Sequence, residues 1–513
     1  MGAPGADPRR RRPGLTGPGS RRAEGGIVRS AHRLTADVEG GPEASGQLGS
    51  RNRIVIGVLL VSTFVVFLNE TIMSVALPVL MTDLQITASV GQWLTAGFLL
   101  TMSVVIPVTG FLIRRVPTRT LFATAMLLFS AGTLLAALAP GFGVLLAGRV
   151  VQAGGTAIMM PLLTTTVLTL VPPARRGALM GNISIVISVA PAIGPTVSGI
   201  VLDLFGWRYM FWLVLPIALA ALVLGLRLIT NVGETTSAPI DVVSVVLSAL
   251  GFGGLVYGLS SVGHSGGTSG VVVWGAFAVG VAGVVAFVAR QLVLQRADRA
   301  LLDLRTFGSR TFTIASAMMM LTMGTLLGTA VLLPIYLQNA LVLDPLTTGL
   351  LLLPGGLLMG VLGPVVGRLY DRFGARTLLV PGTVATSAAL WSATLFTAES
   401  SPLQVVGFHL LLSSGLAFVF TPLFTAGLGA VPPKLYPYGS AIFSTAQQLA
   451  GAAGVALLVS VLSVRSAALA AEGVPLVEQT AGGVHAAFLV AATLSLFAIV
   501  GAFLIRGSAP AAH

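Results

Sequence analysis

The amino-acid sequence predicts an all-α polytopic membrane protein, with two six-helix bundles, two helices inserted between them and about fourteen transmembrane helices in all. Three observations carry this. Of 513 residues, 55% are hydrophobic and only 9% charged, with a mean hydropathy of +0.94, whereas a soluble protein carries roughly a quarter charged residues. Apolar stretches of about 20 to 25 residues recur from Ile54 onward, each able at about 1.5 Å per residue to cross a hydrocarbon layer roughly 30 Å thick. Arginine collects in alternate turns between these stretches, as it does in cytoplasmic loops.

Residues 1–53 are rich in Arg, Gly, Pro and Ser, include the run Arg9 to Arg12 and contain no apolar block. They read as a disordered cytoplasmic tail, either a solvated arm or a segment for anionic lipid. The predicted spans fall near 54–80, 91–113, 119–139, 142–170, 178–202 and 209–229, making an N-terminal bundle over 54–230. An inserted pair, 241–262 and 271–293, follows. Spans near 312–334, 348–369, 375–397, 402–428, 439–464 and 484–505 make a C-terminal bundle over 312–505, and 506–513 is a second cytoplasmic tail. No connecting loop is long enough to be a domain, so the working parts must lie within the bilayer.

With the tail inside, the even-numbered turns hold Arg114, Arg115 and Arg119, then Arg175 and Arg176, Arg227, the group Arg290 to Arg310, Arg368 to Arg376, Lys434 and Arg506. The opposite turns carry Asp83, His264, Asp344, Glu399, Glu472 and Glu478, with Arg208 and Arg465 the basic exceptions. A missed helix would invert every later loop and destroy this segregation, so both termini are expected in the cytoplasm of a cell-membrane protein.

The formal charge is +12, but its distribution along membrane edges and the tail points to lipid and loop anchoring rather than nucleic acid. Cysteine is absent, which excludes disulfides and thiolate metal sites. The single lysine, Lys434, follows Val-Pro-Pro and not a glycine-rich phosphate loop, so the chain has no Walker ATPase site. The five histidines are dispersed and no Ser/His/Asp set or metal cluster is visible, so an enzyme is not expected. Neither is a cofactor or a metal: energy is expected from a proton gradient, with protons, membrane lipid and a small-molecule substrate as the partners of a monomer.

Within the first span, Glu70 stands in a stretch otherwise apolar from Ile54 to Leu80. An acid there costs roughly 2.5 to 3.5 kcal/mol on insertion scales, so it normally faces a bundle interior or a wet cavity and marks an ion or proton path. A structural carboxylate bonded to its neighbours is the alternative. Arg149, several residues inside the fourth span, should likewise seek a partner, and lies close enough to Glu70, by hypothesis, to bias its protonation.

The chain also repeats itself. Val171-Pro172-Pro173 is echoed by Val431-Pro432-Pro433, Gly194 by Gly454 at the same offset, and Gly110-Phe-Leu-Ile-Arg-Arg-Val-Pro-Thr-Arg119 by Gly367-Arg-Leu-Tyr-Asp-Arg-Phe-Gly-Ala-Arg376. Two parallel halves are implied.

Several of these segments resemble motifs of the major facilitator superfamily. Gly367, Asp371, Arg372, Gly374 and Arg376 stand where its loop signature has a glycine, Asp-Arg and a Gly-Arg turn; the first copy departs, with Arg114 in place of the acid and Pro117 in place of the glycine. Leu146-Ala-Gly-Arg149-Val-Val-Gln152-Ala-Gly154-Gly155 resembles the fourth-helix motif, which implies a role for Arg149 in proton transfer. Leu68-Asn69-Glu70-Thr71-Ile72-Met73-Ser74-Val75-Ala76-Leu77-Pro78 is similar to Leu-Asp-x-Thr-Ile-Val-Asn-Val-Ala-Leu-Pro, with the acid moved one place, a rotation of about 100°. Ala190-Pro191-Ala-Ile-Gly194-Pro195-Thr-Val-Ser198-Gly199 resembles the fifth-helix motif of antiporters, whose small residues allow tight helix contact. Gly206-Trp207-Arg208-Tyr209-Met-Phe211 with Pro216, and Trp93, Pro107 and Gly110, resemble the fourteen-helix drug:proton antiporter branch.

The resemblance implies an exporter of amphipathic organic molecules that works by alternating access while protons move inward. Asn69, Gln92, Trp93, Met102, Met159, Met160, Tyr336, Gln338, Asn339, Phe443 and Gln447 are candidates for the cavity wall, since Met and aromatic groups fit varied apolar shapes; ordinary packing is the alternative for each. A dedicated exporter of one metabolite, or an uncoupled sensor or scaffold, remain the competing functions.

Overall fold

The computed structural model describes residue 2 and residues 49–86, 88–91, 93–232, 240–262 and 270–505. Most of the tail read as 1–53, the segment 506–513, and Gln92 lie outside the described residues. The long helices are α1 (Ser50–Asp83), α2 (Trp93–Ile113), α3 (Thr118–Ala137), α4 (Phe142–Leu170), α5 (Arg176–Phe205) and α6 (Arg208–Leu228) in the first half. Then come α7 (242–262), π-helical across Ala249–Gly253, and α8 (Gly270–Leu294). The second half holds α9 (Arg310–Asn339), α10 (Pro345–Phe373), α11 (Ala375–Ala393), α12 (Pro402–Gly429), α13 (Tyr436–Ala471) and α14 (Leu476–Leu504). Among the described residues, twelve helices are long and apolar enough to cross a membrane; α5 and α11, of 30 and 19 residues, are the other two long ones.

Local chemistry sets the helix ends. Ser309, Asp344 and Ser401 each cap the helix that follows by accepting a first-turn backbone N–H, a contact worth about 1 kcal/mol. Gly206 and Gly374 take φ of 84° and 77°, which lets the chain turn sharply out of α5 and α10. The two Val-Pro-Pro segments do the same job in each half: a single 3₁₀ turn, Pro173–Arg175 or Pro433–Leu435, leads into α5 or α13.

Packing repeats between the halves. In the first, α1 lies against α4, α5 and α6, α4 against α2 and α3, and α3 against α6; in the second, α9 lies against α12, α13 and α14, α12 against α10 and α11, and α11 against α14. The echoed glycines occupy matching contacts. A β-carbon on Gly194 would collide with Thr71 of α1, and one on Gly454 would stand 2.5 Å or less from the backbone of Gly324 in α9.

The halves meet along two seams, α5 with α10 and α2 with α13. At the first, Gly177 opposes Gly367, Gly181 opposes Gly363 and Val189 opposes Gly360, each too close for a side chain on the glycine. Both oxygens of Asp371 accept from first-turn amides of α5, Gly177 N at 2.7 Å and Ala178 N at 2.8 Å, where the helix dipole favours an anion. At the second seam Gly110 packs on the backbone of Pro437 and Tyr438, and Arg114, standing in place of the acid, donates to the Tyr438 hydroxyl at 3.1 Å. Arg176 spans both halves, donating to Leu168 O and Val171 O at the end of α4 and to the Tyr436 hydroxyl. These contacts close the end that carries the arginine-rich turns. Arg372 and Arg376 take no part in them; exposed, they lie over the rings of Phe373 and Phe503.

The inserted helices pack on each other through Gly251, Gly254, Gly280 and Gly283, and α7 also packs on α2 and α13. Asp241 caps α7 and takes a two-pronged contact from Arg290 of α8 at 2.6 and 2.7 Å. Buried Gln291 donates to Ser244 and accepts from Leu301 N and Leu302 N, tying the pair to the linker into the second half.

Candidate functional site

A cavity of about 1150 Å³ lies between the halves. Its wall is mostly aliphatic and thioether, with Met102, Ile106 and Met160 from the first half and Met323, Leu353 and Met359 from the second. It extends to Ile200 and Asp203 in the last two turns of α5 and to Leu346 and Leu350 at the start of α10, the end opposite the arginine-rich turns. The space exceeds an ordinary drug-sized pocket of roughly 300–1,000 Å³.

Glu70 lines this cavity and makes no hydrogen bond or ion pair among the described residues. Arg149 lies behind it, only 1% exposed. Its Nη1 donates to Asn69 Oδ1 at 3.2 Å and to Gln152 Oε1 at 2.7 Å, Gln152 in turn donates to Thr133, and the guanidinium carbon sits 4.2 Å from the Phe98 ring centroid. Its Nε is buried without a partner. Glu70 and Arg149 make no contact within ion-pair distance. The one-residue displacement of the acid thus has a geometric outcome: Asn69 faces the arginine, and the carboxylate turns to the cavity.

Thr71 secures this segment by donating to Leu68 O and, at 3.3 Å, to Ala190 O of α5, beside Gly194. Gly194 therefore serves tight packing. Gly199 does not; it has no neighbour within 4 Å of its missing β-carbon and borders the cavity instead. The Pro195 side chain lies outside the described set.

Of the other candidates for the wall, Met102, Met160, Gln338 and Gln447 reach the cavity. Asn69 is buried on Arg149. Trp93 is 41% exposed and stacks on Tyr257 of the inserted pair. Met159 is fully buried within its bundle, Tyr336 points its hydroxyl to Thr397 O at 2.6 Å while stacking on Phe396, Asn339 is exposed at the end of α9, and Phe443 packs between Phe312 and Phe424. Sequence reasoning missed Asp203, His409 and Gln448, which do line the cavity. Arg208, a basic exception in the loop pattern, clamps one end of the first half: it lies on Trp207, whose indole donates to Asp83, and itself donates to Asp83 and Ala139 O.

Two like helical halves around a central cavity, closed at one end and open toward the other, define a membrane transporter. The chain belongs to the Major Facilitator Superfamily, whose sequence model matches residues 59–455. It is 40% identical over 453 residues to the uncharacterized MFS-type transporter YcnB of Bacillus subtilis, covering 88% of this chain and 95% of that one. It is 40% identical over 455 residues to the lincomycin resistance protein LmrB of the same organism, covering 87% and 94%. The multidrug resistance protein B homolog of Mycobacterium tuberculosis is 29% identical over 427 residues, covering 82% and 78%. In fold the chain is similar to the human organic anion transporter MFSD10, with a TM-score of 0.64, 16% identity and coverage of 89% and 99%, and to the proton:xylose symporter XylE, with 0.61, 15%, 90% and 97%.

Proposed function

We propose that this protein is a proton-coupled antiporter that exports amphipathic drugs across the cell membrane, with fourteen transmembrane helices and both termini in the cytoplasm. The observation that carries the reading is a large, mainly apolar cavity with an unpaired carboxylate, Glu70, set on its wall deep within α1. Its relatives named for lincomycin and multidrug resistance support the cargo class. With the arginine-rich turns inside, the cavity faces outward, the state in which cargo leaves and Glu70 takes up a proton. Closure toward the outside then carries that proton behind the seam, and opening inward releases it as new cargo enters. Each proton supplies about 2.3 kcal/mol per 100 mV and about 1.4 kcal/mol per pH unit, enough for modest uphill export. No bound cofactor is needed, and the monomer is the working unit.

Reconstitution in vesicles with an imposed proton gradient tests this. Accumulation of lincomycin that follows the gradient in wild type and is lost in Glu70→Gln is the expected result. Gradient-independent movement, or an active Glu70→Gln, overturns the coupling.

A further inference from the structure

The second half contributes a polar feature to the cavity that the coupling scheme does not use. His409 of α12 lines the cavity, yet its Nδ1 is buried without a hydrogen-bond partner. The ring lies flush against Gly355 of α10, with Nδ1 the atom nearest to where a β-carbon on that glycine would stand, 2.6 Å from Cε1 and 2.9 Å from Cγ, so Nε2 is the nitrogen left to meet an occupant of the cavity. Native proteins pair the great majority of buried polar atoms, so an unpaired one in a cavity wall calls for an explanation. A metal site does not supply it, since no cluster of metal-ligating side chains occurs among the described residues.

In most functional imidazoles the partner of one nitrogen dictates whether the other donates or accepts. Nothing dictates it here. The ring is therefore free to present a donor or an acceptor, whichever the occupant of the cavity requires. Two amides of α13 that also line the cavity are loosely held: Gln447 Nε2 reaches Met319 Sδ at 3.6 Å and Gln448 Nε2 reaches Met102 Sδ of the first half at 3.6 Å. Thioether sulfur is a weak acceptor, so a hydroxyl or carbonyl from cargo displaces it easily.

We infer that His409 is a cargo-binding subsite for the uncharged, hydroxyl- or amide-bearing end of an amphipathic molecule, with Gln447 and Gln448 as further hydrogen-bonding groups of the same half, while Glu70 of the other half receives a cationic end. The inference rests on the efflux reading and deepens it. It assigns the two ends of the cargo to the two halves, so that cargo bridges them and senses their relative position.

The test uses the full-length protein in lipid nanodiscs and two probes. Lincomycin carries a basic amine and a hydroxyl-rich sugar; tetraphenylphosphonium carries charge and aryl rings but no hydrogen-bonding group. His409→Leu should weaken lincomycin binding about ten-fold more than tetraphenylphosphonium binding, the equivalent of one good hydrogen bond. His409→Gln, which restores a donor and an acceptor, should recover most of that difference. Equal loss for both probes, no loss for lincomycin, or a wild type that binds only tetraphenylphosphonium overturns the subsite and leaves the efflux reading standing. A wild type that binds neither probe overturns both.

Discussion

Arg149 donates to Asn69 Oδ1 at 3.2 Å, while the adjacent acid, Glu70, makes no such contact and lines the cavity. One step along a helix turns a side chain by about 100°, and here that step separates a buried neutral hydrogen bond from a carboxylate open to cargo. The first prediction follows from the pair. The double variant Asn69→Asp/Glu70→Gln restores the acid to the position facing Arg149, where it forms a buried ion pair. Proton-driven export in vesicles should stay below about a tenth of wild type, because the acid no longer borders the cavity.

Arg149 also serves the architecture. Replacing it with Met leaves Asn69 Oδ1 and Gln152 Oε1 without their donor, at about 1–3 kcal/mol for each buried group. Thermal unfolding in detergent should drop well below that of Glu70→Gln, which breaks no hydrogen bond.

The glycine contacts across α5 and α10 hold the closed end shut. A β-carbon on Gly181 would stand 2.9 Å from Gly363 C and from Pro364 Cα, so Gly181→Leu should cost the closed arrangement about 1–3 kcal/mol. That shifts the balance of the two end-states about 5- to 150-fold. Distances between spin labels on α5 and α10 at this end should lengthen, and lengthen less for Gly181→Ala.

Asp371→Asn tests the same end by charge. Neutralising a carboxylate bound to two first-turn amides removes a charge-assisted contact and its attraction to the helix dipole, roughly 1–2 kcal/mol. The same labels should report opening of the closed end, in a variant that adds no bulk.

The inserted pair has its own pH signature. Hydrogen bonds from Arg290 and Ser244 hold the Asp241 carboxyl well below its ordinary value of 3.8. A depressed carboxylate contributes stability that is complete above its unfolded pKa and is withdrawn as pH falls toward the folded one. The gap in melting temperature between wild type and Asp241→Asn should be flat from about pH 8 to 5 and shrink below about pH 4.

Helix positions were legible in the sequence because apolar length alone fixes a span: 142–170 and 402–428 are reproduced within a residue by α4 and α12. Glu70 was legible because one acid in an apolar stretch has few places to go. Facing was harder. Met159 and Met160 are adjacent and chemically identical, yet one is packed inside its bundle and the other lines the cavity, and nothing in composition separates them. Tyr336 and Phe443 follow the same logic, each claimed by neighbouring rings of its own half. His409 had a usable signal: it is a polar residue inside an apolar span, the feature that singles out Glu70. Asp203 had none, since an acid near a helix end is ordinary.

Among the described residues, α7 of the inserted pair packs on both α2 and α13, the two helices of one seam. Any change in the spacing of those two helices must therefore be absorbed by a third that is seated on each of them, so the insertion couples its own footing to the geometry of that seam.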